Sequence, residues 1–221
     1  MNAKAIVFDF NGTLFFDYKE NLDAWNIISK KYRGREFYSD EYDSLMGMTD
    51  SCVVRFIKSD ASDDLAYQIG HEKEEVYLKL CKERKLTLVN EAVEFIKYVQ
   101  SLNIRTMIAS SAPKGNMEWY YNNLGLDKLF KKEEIICDPP GLKSKPEPDI
   151  FRLALKTIGV NAEDGICFED SPGGLKAALR TPFKKTIAVL SPGMSEEKQC
   201  AFVSPISWPY ILEHKDEIIK L

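Results

Sequence analysis

Carboxylates, hydroxyls and one lysine recur in four short clusters of this 221-residue chain. The first is Asp9-Phe10-Asn11-Gly12-Thr13-Leu14 and the second is Ser110-Ser111-Ala112-Pro113-Lys114. The third is Lys143-Ser144-Lys145-Pro146-Glu147-Pro148-Asp149 and the fourth is Glu169-Asp170-Ser171-Pro172-Gly173-Gly174. Such residues suit phosphoryl transfer. A carboxylate can attack phosphorus and form an aspartyl-phosphate. Further carboxylates can hold a hard divalent cation, typically Mg²⁺, that neutralises phosphate charge. A hydroxyl, a lysine and backbone N–H groups can stabilise the transferring oxygens. Each cluster alone also fits a plain structural role. Asn11-Gly12 could be a turn corner, Ser110 and Ser111 could cap a helix, and Ser171-Pro172 could start one. It is their joint occurrence, in order, that favours chemistry.

Each cluster follows a short apolar run, and those runs say what positions it. Ala5–Phe8, Ile104–Ala109, Ile135–Cys137, Ile166–Phe168 and Ile187–Leu190 read as strands buried on both faces. Asn90–Leu102 and Asp149–Ile158 carry helical apolar spacing between them. Strands alternating with helices predict an α/β parallel sheet. Ligands of such sheets collect at the carboxyl ends of the strands, where the four clusters fall.

The alternation breaks between Asp17 and about Leu88, where helices are expected at Glu20–Tyr32, Ser39–Leu45, Ser51–Ser59 and Asp63–Arg84. Leu22, Trp25, Ile28 and Tyr32 form one apolar stripe, and Val76, Tyr77, Leu80 and Cys81 another. Both are expected to be the core of a small helical bundle rather than part of a site. This region reads as a helical insertion after the first strand.

Composition excludes several classes of protein. The chain is 44% hydrophobic and 29% charged, near globular averages, so it is neither fibrous nor disordered. Lys plus Arg number 30 against 34 Asp plus Glu, and the formal charge of −4 offers no global attraction to nucleic acid or to an anionic membrane. The five cysteines are scattered and odd in number, which argues against a disulfide framework or a structural zinc site. A reducing, cytoplasmic location is expected, since the N-terminal apolar run is too short for a signal peptide and no run could span a bilayer. Only two histidines occur, His71 and His214, both in charged surroundings, so a His-based metal site or a Ser-His-Asp triad is not attractive.

The four clusters resemble the motifs of the haloacid dehalogenase-like superfamily. Asp9-Phe10-Asn11-Gly12-Thr13-Leu14 is similar to its Asp-x-Asp-Gly-Thr-Leu motif, Ser110 to the hydroxyl that ends the second strand, Lys145-Pro146-Glu147-Pro148 to Lys-Pro-x-Pro, and Glu169-Asp170-Ser171 to the acidic fourth motif. The last two stretches look closest to the β-phosphoglucomutase-like and phosphoglycolate-phosphatase-like branch. The resemblance implies an α/β, Rossmann-like parallel sheet core (residues 1–15 and 89–221) with an all-helical cap (16–88) inserted after the first strand. It implies a Mg²⁺-dependent phosphatase acting on a small phosphorylated metabolite. Asp9 would be the nucleophile and a metal ligand. The Asn11 backbone carbonyl, Asp170 and Glu169 would complete the protein's share of the metal site. Ser110 and Lys145 would bind the phosphoryl oxygens, with Gly12 and Ser111 beside them, and Lys145 would hold Asp9 ionised by Coulomb attraction. Gly47, Thr49 and Asp50 would belong to a cap loop that selects substrate.

One departure from the pattern matters. The family's second aspartate, its general acid and base, is Asn11 here. An amide accepts and donates hydrogen bonds but exchanges no proton near neutral pH. Three outcomes are open: a slow or selective phosphohydrolase, a protein that binds a phosphorylated ligand without turnover, or a proton relay restored by another route, such as deamidation at Asn11-Gly12. On the sequence alone, Asn11→Asp is expected to raise turnover at least about tenfold. A phosphomutase is less favoured. The positions where β-phosphoglucomutases carry a cap histidine and a cap arginine correspond to Asn21 and Asp50, and an acid at the second would repel another phosphate.

Overall fold

The computed structural model describes residues 2–46, 48–137, 139, 141–193, 197 and 202–220, with the side chain of Ser39 excepted. Five strands form one parallel sheet: β1 (Ala5–Phe8), β2 (Arg105–Ser110), β3 (Ile135–Cys137), β4 (Gly165–Glu169) and β5 (Lys185–Ala188), in the order β3-β2-β1-β4-β5. The central strand, β1, is buried at every position. A strand buried on both faces must be apolar throughout, which is why its sequence is a plain Ala-Ile-Val-Phe run.

Alternation along the strands divides the core into two layers. Ile6, Phe8, Ile108, Ile166 and Phe168 face one side, against helices α5 (Asn90–Ser101), α6 (Lys114–Asn123) and α9 (Trp208–Glu213). Val7, Met107, Ala109 and Cys167 face the other, against α7 (Asp149–Ile158) and α8 (Pro172–Leu179). A short α10 (Lys215–Ile218) follows α9. The strands begin and end within a residue or two of the expected runs, and β5 begins two residues earlier, at Lys185.

Between β1 and α5 lie four helices: α1 (Tyr18–Arg33), α2 (Ser39–Leu45), α3 (Asp50–Ile57) and α4 (Asp63–Glu83). They share a separate apolar cluster that includes Trp25, Ile28, Phe37, Tyr42, Val54, Ile57 and Ile69. Helix α4 starts on Ser62, whose hydroxyl accepts the Leu65 N–H at 3.3 Å. No helix among the described residues is long and apolar enough to cross a membrane.

Candidate active site

Parallel register brings the clusters together. Phe8 lies beside Phe168 on β4 and Ile108 on β2, and the Asp9 N–H donates to the Phe168 carbonyl at 2.9 Å. Asp9 therefore leaves the sheet next to Glu169 and Asp170, and Ser110 leaves it on the other side. Lys145, from the loop after β3, reaches under this edge. Its Nζ donates to Asp9 Oδ1 at 2.5 Å, to Glu169 Oε1 at 2.7 Å and to the Ala109 carbonyl at 3.5 Å. Carboxylate oxygens of Asp9, Glu169 and Asp170 lie within 4.8 Å of one another, and all three residues are buried.

Neighbours hold these carboxylates in place. Glu169 Oε2 accepts the Ser171 N–H at 2.7 Å and its hydroxyl at 3.1 Å. The Ser171 hydroxyl in turn accepts the Gly174 N–H at 3.1 Å and caps α8, which has Pro172 in its first turn. The serine is thus both the expected cap and a support for the site. Thr13 Oγ1 donates to Asp170 Oδ1 at 3.2 Å. Gly12 adopts φ +78°, and a Cβ there would overlap the Asp170 carboxylate.

Burial sets the electrostatics. It pushes Asp9 up to about 7; Lys145 opposes the shift and the Glu169 charge adds to it. The Lys145 charge thus favours the ionised form of Asp9, and burial works against it. Burial, then the charges of Glu169 and Asp9, drive Asp170 well above its ordinary value. Lys145 resists its own burial because Asp9 and Glu169 hold its charge, and its pKa rises. Three hard oxygen donors crowded beside one ammonium suit a hard divalent cation better than a soft metal.

Above this edge, a cavity of about 130 Å³ lies between the sheet and helices α1–α4. Asp9, Asn11, Gly12, Ser110, Ser111, Lys145, Glu169 and Asp170 all line it, as does Asp50. Thr49 does not; its hydroxyl donates to Cys52 Sγ at 3.3 Å, a contact within the start of α3. Gly47 lies outside the described residues. Ser110 is buried, and its hydroxyl accepts the Ala112 N–H at 3.0 Å.

The helices add residues that the sequence did not single out for the site. Lys73 and Glu74 of α4 are buried and paired at 2.7 Å, with Asp50 at 3.9 Å from the same ammonium. Glu74 also accepts from Asn116 of α6, which ties the helices to the sheet layer. The Lys73 ammonium lies over the rings of Trp25 and Tyr77. Tyr77 was expected only to pack in a bundle core, yet its hydroxyl reaches the cavity wall and donates to Asp17 Oδ2 at 2.5 Å. Asp17 is buried, and burial raises it to about 6, against the hydrogen bonds of Tyr77 and Asn11. Its only signal in the sequence is a lone acid directly after Phe15-Phe16.

A parallel sheet with carboxylates, a hydroxyl and a lysine on one edge under a helical layer defines a class of α/β enzymes. The chain belongs to the haloacid dehalogenase-like hydrolases, whose family model matches residues 3–180. A phosphorylated carbohydrates phosphatase of Thermotoga maritima is 26% identical over 192 residues, 85% of each chain. The validoxylamine A 7'-phosphate phosphatase of Streptomyces hygroscopicus subsp. limoneus is 25% identical over 183 residues, 80% of this chain and 81% of that one. Among solved structures, a family IA, variant 3 hydrolase from Entamoeba histolytica superposes with a TM-score of 0.86 at 28% identity, covering 99% of this chain and 100% of its own. CbbY from Rhodobacter sphaeroides, solved with phosphate, shares the fold with a TM-score of 0.72 at 22% identity, covering 93% and 92%.

Proposed function

We propose that this hydrolase is a Mg²⁺-dependent phosphatase that cleaves a small phosphate monoester, a sugar phosphate or similar metabolite, through an aspartyl-phosphate on Asp9. The observation that carries the proposal is the Asp9 carboxylate, 2.5 Å from the Lys145 ammonium and beside two further buried carboxylates, in the cavity between the sheet edge and the helices. The relatives named for phosphorylated carbohydrates and for validoxylamine 7'-phosphate support a phosphorylated polyol as substrate.

In this scheme an Asp9 oxygen bonds to phosphorus as the bond from phosphorus to the leaving oxygen breaks. Water then displaces Asp9 from phosphorus and inorganic phosphate departs. Lys145 and Ser110 hold the transferring oxygens. Asp9, Glu169, Asp170 and the Asn11 backbone carbonyl would hold Mg²⁺, which offsets phosphate charge and favours ionised Asp9. Residues 16–88 would act as a cap that excludes water over a core of 1–15 and 89–221. Asn11 cannot protonate a leaving oxygen, so substrates with acidic leaving groups, such as aryl or acyl phosphates, are favoured.

The test is phosphate release from p-nitrophenyl phosphate and a panel of sugar phosphates, with Mg²⁺ and with EDTA. Release that needs Mg²⁺ and vanishes in Asp9→Ala supports the enzyme. Ligand binding without release from any substrate makes the protein a phospho-ligand binder instead.

A further inference from the structure

The side chain of Asn11 is held by a buried carboxylate that the phosphatase scheme does not use. Asn11 Nδ2 lies 2.7 Å from Asp17 Oδ2, and the same oxygen accepts Asn21 Nδ2 at 2.7 Å and the Tyr77 hydroxyl at 2.5 Å. An ionised carboxylate accepts only. The Asn11 group facing it must therefore be the NH₂, which settles the amide orientation on chemical grounds. The proton directions follow. Tyr77 donates to Asp17, so its oxygen accepts from the Tyr120 hydroxyl, 2.7 Å away. Both phenol oxygens then have lone pairs toward Asn11 Nδ2, at 3.3 and 3.2 Å. Asp17 thus accepts from Asn11, Asn21 and Tyr77, and Tyr120 donates to Tyr77 behind it.

In a planar amide the oxygen and the nitrogen diverge from one carbon, so the two do not face the same group. With its NH₂ bound to Asp17, Asn11 keeps an Oδ1 that no described residue bonds, and the residue lines the cavity that it shares with Asp9. The geometry points to Asp17 as a positioning residue: it accepts an Asn11 N–H, fixes Asn11 Oδ1 as an acceptor in the cavity shared with Asp9, and so denies the departing oxygen a proton from position 11. This assignment rests on the phosphatase reading and deepens it. A fixed acceptor can orient the water that attacks the aspartyl-phosphate. It supplies nothing to the departing oxygen. Asp17 and Asn11 are thus a matched acceptor and donor, and changing either alone breaks the match.

The pairing adds a cost in stability to Asn11→Asp, the change that on sequence alone is expected to raise turnover. That single change would set two carboxylates 2.7 Å apart among buried phenols, where one N–H···O bond stood. The experiment compares wild type, Asn11→Asp, Asp17→Asn and the exchanged pair Asn11→Asp/Asp17→Asn, reading thermal melting and phosphate release from aryl phosphates of graded phenol pKa. Asn11→Asp should melt at least about 5 °C lower, and the exchanged pair should recover most of that loss. Asp17→Asn should lower kcat about tenfold with KM within about twofold, because it frees the amide without touching substrate. The exchanged pair, with a carboxylate at position 11, should flatten the dependence on leaving-group pKa by at least about tenfold across the series. Asn11→Asp as stable as wild type, or an exchanged pair no better than Asn11→Asp, overturns the pairing. Turnover by wild type with kcat and leaving-group dependence unmoved in Asp17→Asn overturns the positioning role alone. No phosphate release from wild type with any substrate overturns the phosphatase reading and this role together, while the melting comparison still reports on the pairing.

Discussion

Two glycines and one lysine hold the carboxylates of the site, and each carries a prediction. Gly12 has no Cβ because Asp170 occupies that space, and its φ of +78° disfavours any other residue. Gly12→Ala should displace Asp170 and weaken binding at the proposed Mg²⁺ site at least about tenfold by calorimetry, since Mg²⁺ demands near-ideal geometry from its oxygen ligands. A Cβ at Gly174 would overlap the Glu169 carboxylate instead, so Gly174→Ala should strike the opposite wall. Lys145 is the sole cation bonded to Asp9 among the described residues. Replacing it by Met leaves three buried carboxylates without their counter-charge. Breaking a buried ion pair from one side costs about 3–5 kcal/mol. Urea unfolding should show a loss of that order for Lys145→Met, partly restored by millimolar Mg²⁺ if the proposed site holds the cation, since a ligand stabilises the folded state that binds it.

The elements divide sharply in how far the sequence disclosed them. The strand ends were legible because their chemistry is local: an apolar run stops, and Asp9, Ser110 or Glu169 follows at once. The helical layer was not. Lys73 and Glu74 sit in a polar run that reads as a solvated face, and the packing of α4 against α1 and α3, with Asn116 of α6 donating to Glu74, buries them. Tyr77 fits an apolar stripe by spacing, but its hydroxyl serves the site while its ring serves the core. Helix α2 shows another contact that spacing conceals. Glu41 accepts the Tyr38 N–H at the start of the helix (2.9 Å) and both terminal nitrogens of Arg35, at 2.8 and 2.6 Å. Arg35, then the Tyr38 N–H, draws Glu41 down to about 2 from the usual 4.5. A depressed carboxyl stabilises the fold above its unfolded pKa, and that contribution fades as pH falls toward the folded value. Glu41→Gln should therefore lower the urea midpoint at pH 7, and the gap from wild type should narrow between pH 4.5 and pH 2.

At the scale of the whole molecule, the far end of the chain holds the loop on which the site depends. Trp208, at the start of α9, donates its indole N–H to the Thr13 carbonyl at 2.8 Å, across 195 positions of sequence. Its ring stacks on Phe168 of β4, with centroids 5.5 Å apart and planes 4° apart, and also packs on Phe8 and Phe95. One side chain thus touches the central strand, its neighbour, helix α5 and the loop of the first motif. Thr13 passes that constraint on, since its hydroxyl bonds Asp170. Two substitutions separate packing from positioning. Trp208→Ala removes the ring from a fully enclosed place and should cost about 3–5 kcal/mol in urea unfolding. Trp208→Phe keeps an aromatic ring in the stack but leaves the buried Thr13 carbonyl without its donor, which costs about 1–3 kcal/mol. If the indole bond orders the loop, Trp208→Phe should also weaken Mg²⁺ binding, although it lies outside the cavity. A phenylalanine variant that loses stability yet binds Mg²⁺ like wild type would show that the tryptophan supports the core and leaves the placement of Asp170 to Thr13 and Gly12.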